Sequence, residues 1–188
     1  TEFLLSSGAK DVVVCDRLGI LQDDENFNQA QRSLALRTNP RGVKGTLKDA
    51  IKDADAFIGV SAKNVLSQDM VRSMSDDAIV FAMANPDPEI LPDLALEAGA
   101  RIVATGRSDF QNQINNVLAF PGIFRGALDV RASDINDSMK IAASDALANL
   151  VENPDETHII PEPFDKRVVP AVATAVKQAA INSGVARI

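Results

Sequence analysis

Four short apolar runs, each followed by a stretch with helix signals, constrain this chain more than any other feature. They are Asp11-Val12-Val13-Val14-Cys15-Asp16, Ala56-Phe57-Ile58-Gly59-Val60-Ser61, Ala78-Ile79-Val80-Phe81-Ala82-Met83-Ala84 and residues 101–105. Short runs that stay apolar without alternating read as strands buried on both faces, the habit of parallel sheets. Between and around them lie the helices. Phe3 to Gly8 reads as the last turns of a helix closed by glycine, and residues 23 to 37 are helix-prone. Thr46 with Asp49 forms a capping-box pattern for a helix through Ala54, and Ser67 caps one through Met74. Residues 92 to 98 form another, ended by Gly99. Ser133 is expected to cap a long helix to about Glu152, and Val168 to Ser183 to form the last, closed by Gly184. Alternation of this kind predicts the α/β class: a doubly wound, mostly parallel sheet with helices on both faces.

At 188 residues and 20.0 kDa the chain reads as one domain, residues 1–188, with a sizeable core. A net charge of −7 and a pI near 4.7 argue against nucleic acid or an anionic membrane as partner, because no basic stripe is present. Cys15 is the single cysteine, so no intrachain disulfide forms and a reducing, cytoplasmic setting is expected. No apolar run approaches the roughly twenty residues of a membrane span. Tyr and Trp are absent and His158 is the only histidine, which speaks against clustered His/Cys metal sites and a Ser-His-Asp triad. His158 itself reads as a surface residue.

Open α/β sheets bind ligands outside the carboxyl ends of their strands. The candidates therefore stand at Ser61-Ala62, at Ala84-Asn85-Pro86, and at Gly106-Arg107 with the amides Asn112, Gln113, Asn115 and Asn116 behind it. Right-handed crossovers bring such ends onto one rim. A neutral amide offers both a donor and an acceptor, so it can hold a carboxylate or a carboxamide without entering the proton chemistry. Turn and cap chemistry accounts for the same amides, and a turn before proline accounts for Asn85. Arg107 and Arg125 either face the crevice or pair with Asp109 and Asp129. Asp16, ending the second strand of a Rossmann-like arrangement, suits an adenine-ribose 2′-hydroxyl, and Arg17 beside it suits a 2′-phosphate. The matching first strand and glycine-rich turn belong about 20 residues upstream of Asp16. No G-x-G-x-x-G or G-x-G-x-x-A occurs in the sequence. The expectation is a chain that begins inside the first helix of a nucleotide domain, with the first strand and glycine-rich loop missing from mid-sheet.

The stretch TGRSDF followed by QNQINNVLAFPGIFRGALDVRA resembles the signature segment of the bacterial malic enzymes, in their C-terminal nucleotide-binding domain. The resemblance continues from GAKDVVVCD to IIPEPFDKRVVPAV. It implies an NAD-dependent oxidoreductase, with NADP possible, that converts malate to pyruvate and CO2. By resemblance, Asn85 and Asn116 contact malate, and Asn115 lies at the nicotinamide end. Asp16, Arg17, Ser61 and Asn85 join Asn115 on the cofactor side. The family's general acid is a Tyr and its base a Lys; its Mg2+ or Mn2+ sits on a Glu and two Asp residues. All of these precede the nucleotide fingerprint, so none is assigned to this chain. The intact protein is expected to be a homo-oligomer, and the unpaired strand edges beside the mid-sheet gap predict an inactive, unstable chain when expressed alone. Rival readings are the Rossmann domain of another hydroxy- or amino-acid dehydrogenase, a non-catalytic nucleotide-binding module, and a parent fused to an acyl-transfer domain.

Overall fold

The computed structural model describes residues 1–188. A first helix, α1 (Glu2–Ser6), stops before Gly8, whose φ of +93° suits glycine. The next segment departs from expectation. Asp11 to Asp16 is not a buried parallel strand: only β1 (Cys15–Asp16) is paired, antiparallel, with β2 (Gly19–Ile20). Val12, Val13 and Val14 are half-buried, and the Val12 and Val14 carbonyls accept from Asn39 N and Leu21 N at 2.8 and 2.9 Å. The physical reason is topological. In a doubly wound sheet the second strand pairs with the first, and no segment of this chain occupies the first strand's place. The valines therefore bond outward to loops.

Helix α2 (Gln29–Ala35) is shorter than the helix-prone stretch because Asn28 starts it. The Asn28 side chain accepts from Gln31 N, and the Gln31 side chain accepts from Asn28 N, each at 3.0 Å. Helix α3 (Leu47–Ala50) follows Thr46, whose N–H donates to the Asp49 carboxylate at 2.8 Å. Then come β3 (Ala56–Gly59), α4 (Gln68–Arg72) capped by Ser67, β4 (Ile79–Ala82), α5 (Pro92–Glu97) and β5 (Ile102–Thr105). The three strands form one parallel sheet in the order β3-β4-β5, with Phe57, Val80 and Val103 in register and Gly59, Ala82 and Thr105 likewise. This is the Rossmann-like arrangement that the alternation of runs and helices implies.

The apolar side chains form two clusters rather than one. In the first, Phe57, Val80, Ala82 and Val103 pack from one sheet face against Val71, Met74, Ala95 and Ala98. Val80, Ala82 and Ala95 have no exposed surface. The second cluster belongs to the C-terminal helices α6 (Phe120–Asp129), α7 (Asp137–Ala148) and α8 (Val168–Asn182), with Leu118 from the 3-10 turn Asn116–Leu118. Glycine makes the approach of α6 to α8 possible. A Cβ at Gly122 would stand 2.5 Å from Val172 Cβ, and one at Gly126 would stand 2.5 Å from Ala173 O.

Helix α7 does not start at Ser133. Asn136 caps it, accepting from Met139 N at 3.1 Å. Ser133 is used elsewhere: its N–H and hydroxyl both donate to Val185 O, at 2.9 and 3.2 Å, tying the chain's tail to the α6–α7 connection. Helix α8 ends at Asn182, with Gly184 in the left-handed region at φ +74°.

Candidate functional site

The carboxyl ends of β3, β4 and β5 share one rim, because the strands are parallel and in register. Between β3 and β4 that rim is built around Glu89, a carboxyl group with no exposed surface. Its Oε1 accepts from Ser61 N at 2.7 Å and from Ser61 Oγ at 3.0 Å; its Oε2 accepts from Ala84 N at 3.0 Å. The backbone adds two further ties, Asn64 N to Pro88 O at 3.2 Å and Leu66 N to Glu89 O at 3.1 Å. The turns after β3 and β4 are thus joined to each other. Gly59 makes room: a Cβ there would lie 2.5 Å from Glu89 Cδ.

Between β4 and β5 the pivot is Gly106, where a Cβ would lie 3.9 Å from both Met83 O and Ile114 O. Asn85 follows Met83 by two residues, and Asn116 follows Ile114 by two. Two residues of chain reach at most about 7 Å, so each amide lies within that reach of a backbone carbonyl that borders Gly106. Ile114 is held there by its N–H, which donates to Thr105 O at 2.8 Å. Asn85 precedes Pro86 through a cis peptide bond. Asn85 and Asn116 are exposed, and neither side chain spends a hydrogen bond on the protein.

The other amides are committed to structure. Asn112 is buried, with φ at +53°, in the left-handed region that Asn tolerates better than most residues. Its Nδ2 donates to Val103 O at 3.2 Å and Glu156 O at 2.9 Å, and its Oδ1 accepts from Ile159 N at 3.0 Å. Gln113 Nε2 donates to Gly106 O at 3.4 Å. Asn115 caps the 3-10 turn, accepting from Val117 N at 3.0 Å, which leaves its Nδ2 group unspent.

Asp16 and Arg17 lie on the β1–β2 hairpin, outside the three-stranded sheet. The hairpin is anchored by Ile20 N, which donates to Gly45 O at 2.9 Å, just before α3. Asp16 is exposed; its Oδ1 accepts from Arg17 N at 2.6 Å and its Oδ2 from Gln31 Nε2 at 2.8 Å. Each oxygen keeps a free lone pair for a ribose hydroxyl. The Arg17 guanidinium is exposed and makes no ion pair. Arg107 and Arg125, by contrast, pair with Asp109 at 2.6 Å and Asp129 at 2.9 Å. The Arg107 pair raises the guanidinium's pKa and lowers that of Asp109, through their mutual hydrogen bonds first. His158 is exposed.

No group of three or more His, Cys, Asp or Glu is placed to hold a metal ion. Burial pushes the Cys15 thiol up to about 11, so it is a poor nucleophile near neutral pH. No helix is long and apolar enough to cross a membrane. Glu89 is the residue that sequence reasoning passed over, and Asn112, named among the amides, was not singled out as the buried one. The only signal for Glu89 was a charged residue followed directly by apolar Ile90-Leu91 in a proline-punctuated turn. Asn112 stood among its neighbours with nothing to mark it as the buried one.

The comparisons with known proteins agree with one another. The family described as malic enzyme, NAD binding domain, matches residues 4–181. The bifunctional malic/malolactic enzyme of Bacillus subtilis is 56% identical over 185 residues, which is 96% of this chain and 45% of that protein. The NADP-dependent malic enzyme of Rhizobium meliloti is 50% identical across 95% of this chain and 25% of its own length. The crystal structure of the NAD-dependent malic enzyme of Thermotoga maritima superposes with a TM-score of 0.90 at 49% identity, covering 94% of this chain and 47% of that one. This chain therefore spans between a quarter and a half of the relatives it matches. The match over nearly its whole length, with the same fold at close to half identity, places the chain in the malic enzyme NAD-binding domain family.

Proposed function

We propose that residues 1–188 are the dinucleotide-binding part of an NAD(P)-dependent enzyme that oxidises malate and releases pyruvate and CO2. What supports this reading is the pair of unspent, exposed amides, Asn85 and Asn116, in the segments that follow β4 and β5. Each can donate to a carboxylate of a four-carbon diacid and fix the C2 hydrogen toward the cofactor, while remaining neutral throughout. Asn115, with its free Nδ2, and Ser61 take the nicotinamide side, where Asn85 also contributes. Asp16 holds the adenine ribose, and the unpaired Arg17 beside it tolerates a 2′-phosphate. The residues present thus fit a nicotinamide dinucleotide, which when bound supplies the hydride acceptor. They do not fit a divalent cation, and no step through Mg2+ or Mn2+ is assigned to this chain. The proton-transfer groups belong to the remainder of the enzyme, which in this reading is a cytoplasmic homo-oligomer.

The test joins this chain behind the upstream half of the Bacillus subtilis relative and follows malate-dependent reduction of NAD and NADP, with and without Mg2+ or Mn2+. Turnover is expected, and Asn85→Ala or Asn116→Ala should each lower kcat/KM for malate by about 100-fold, the loss expected when a buried carboxylate is left unpaired. Normal malate kinetics in both variants would remove the reading's physical basis.

A further inference from the structure

The geometry points to Glu89 as a positioning residue that fixes the Ser61 turn against the Asn85 turn, and so sets the spacing between the cofactor and malate sides of the site; the inference rests on the malate-oxidising reading above. A carboxyl group with no exposed surface has to spend its acceptors inside the protein. Glu89 spends them on one pair of neighbours only. Its two oxygens divide between the turns, with Ser61 N and Oγ on Oε1 and Ala84 N on Oε2. No basic side chain lies within ion-pair distance, so Glu89 is not there to neutralise a charge. Ala84 directly precedes Asn85, and Ser61 is itself on the cofactor side. The carboxyl plane therefore acts as a rigid link between two groups that contact ligand, one on either side. Gly59 lies beneath this link, and a side chain there would strike Glu89 Cδ at 2.5 Å and Oε1 at 2.6 Å.

Glu89→Gln keeps the shape and breaks the link. Whichever way the new amide turns, its NH2 faces a backbone N–H, Ser61 on one side or Ala84 on the other, so one turn is released. In the fusion described above, peptides covering 61–66 and 82–86 should then exchange amide hydrogens faster. The KM for malate and the Kd for NADH should rise about tenfold or more, with kcat changed much less, because the released turn weakens binding in ground and transition states alike. Glu89→Asp, which keeps two acceptors on a shorter arm, should fall between the parent and Glu89→Gln. Gly59→Ala, which displaces the carboxyl without altering it, should reproduce the Glu89→Gln pattern. A purely structural role predicts a lower thermal midpoint with unchanged KM and Kd in the fraction that stays folded by circular dichroism. That result, or unchanged exchange in the two turns, overturns the inference. A fusion that binds NADH but oxidises no malate would count against the malate reading alone, since exchange and NADH affinity still decide the role of Glu89.

Discussion

β3 and β5 border the same three-stranded sheet, yet the two edges are finished in opposite ways. On β5, the Val103 and Thr105 carbonyls point outward and are satisfied, one by the Asn112 side chain and the other by Ile114 N. The segment that brings Asn112 its further partners is strapped on by Arg101, which reaches Glu156 at 3.1 Å and Asp77 at 3.3 Å. On β3, Asp55 O and Gly59 O bond toward β4, so Ala56 and Ile58 turn their N–H and C=O groups to an edge with no strand beside it. Ile58 is 44% exposed and Val60 79%. A sheet edge left bare, with apolar residues along it, invites another strand. The contrast teaches that this chain closes the β5 edge with its own groups and leaves the β3 edge open to a further strand.

The largest effect is expected on the finished edge. Asn112→Ala would strand Val103 O, Glu156 O and Ile159 N and put alanine at φ +53°, a loss of about 3 kcal/mol in chemical denaturation. A loss below about 1 kcal/mol would mean that the β5 edge does not depend on this amide. Next comes the strap. Its own backbone N–H first, and then Arg101, hold the Glu156 carboxyl below the usual carboxylate range. The unfolded chain then takes up the proton first as pH falls, so this contribution is whole above about pH 5 and fades below it. Arg101→Gln should flatten the fall of the thermal midpoint between about pH 5 and pH 3. An unchanged slope would show that the strap is decorative.

The smallest effect is expected at the bare edge. Ile58→Lys in this chain alone should shift stability by less than about 0.5 kcal/mol and reduce light scattering on concentration. Placed in the fusion with the upstream half, the same substitution should cost about 2 kcal/mol or more, because the edge is then covered. Equal effects in the two settings would contradict the reading of the β3 edge as the place where a further strand pairs.

How much of this the sequence disclosed depended on whether a signal was local. Apolar runs gave β3, β4 and β5 within a residue or two because such a run is a local signal. The expectation of burial on both faces nevertheless fails at β3, where burial alternates. The same reasoning misjudged Val12 to Val14, where the residue pattern was right for a strand but pairing requires a neighbour this chain does not hold. Ser133 looked like a cap because Ser is a good one; Asn136 took the position, and Ser133 bonded to Val185, fifty-two residues away. Asn85 and Asn116 could be assigned to the segments after β4 and β5 from the order of the strands alone. Glu89 could not, because burial of a carboxyl group is decided by which turns happen to close around it.

Gly122 and Gly126 carry a consequence for the rest of the family. Along α6 these two positions have no volume to give, whereas the valines of α8 that press against them could shrink without collision. Drift at this contact can therefore run in one direction only. A relative with alanine at either place must hold its last helix farther off, so the spacing of two helices is legible from two letters.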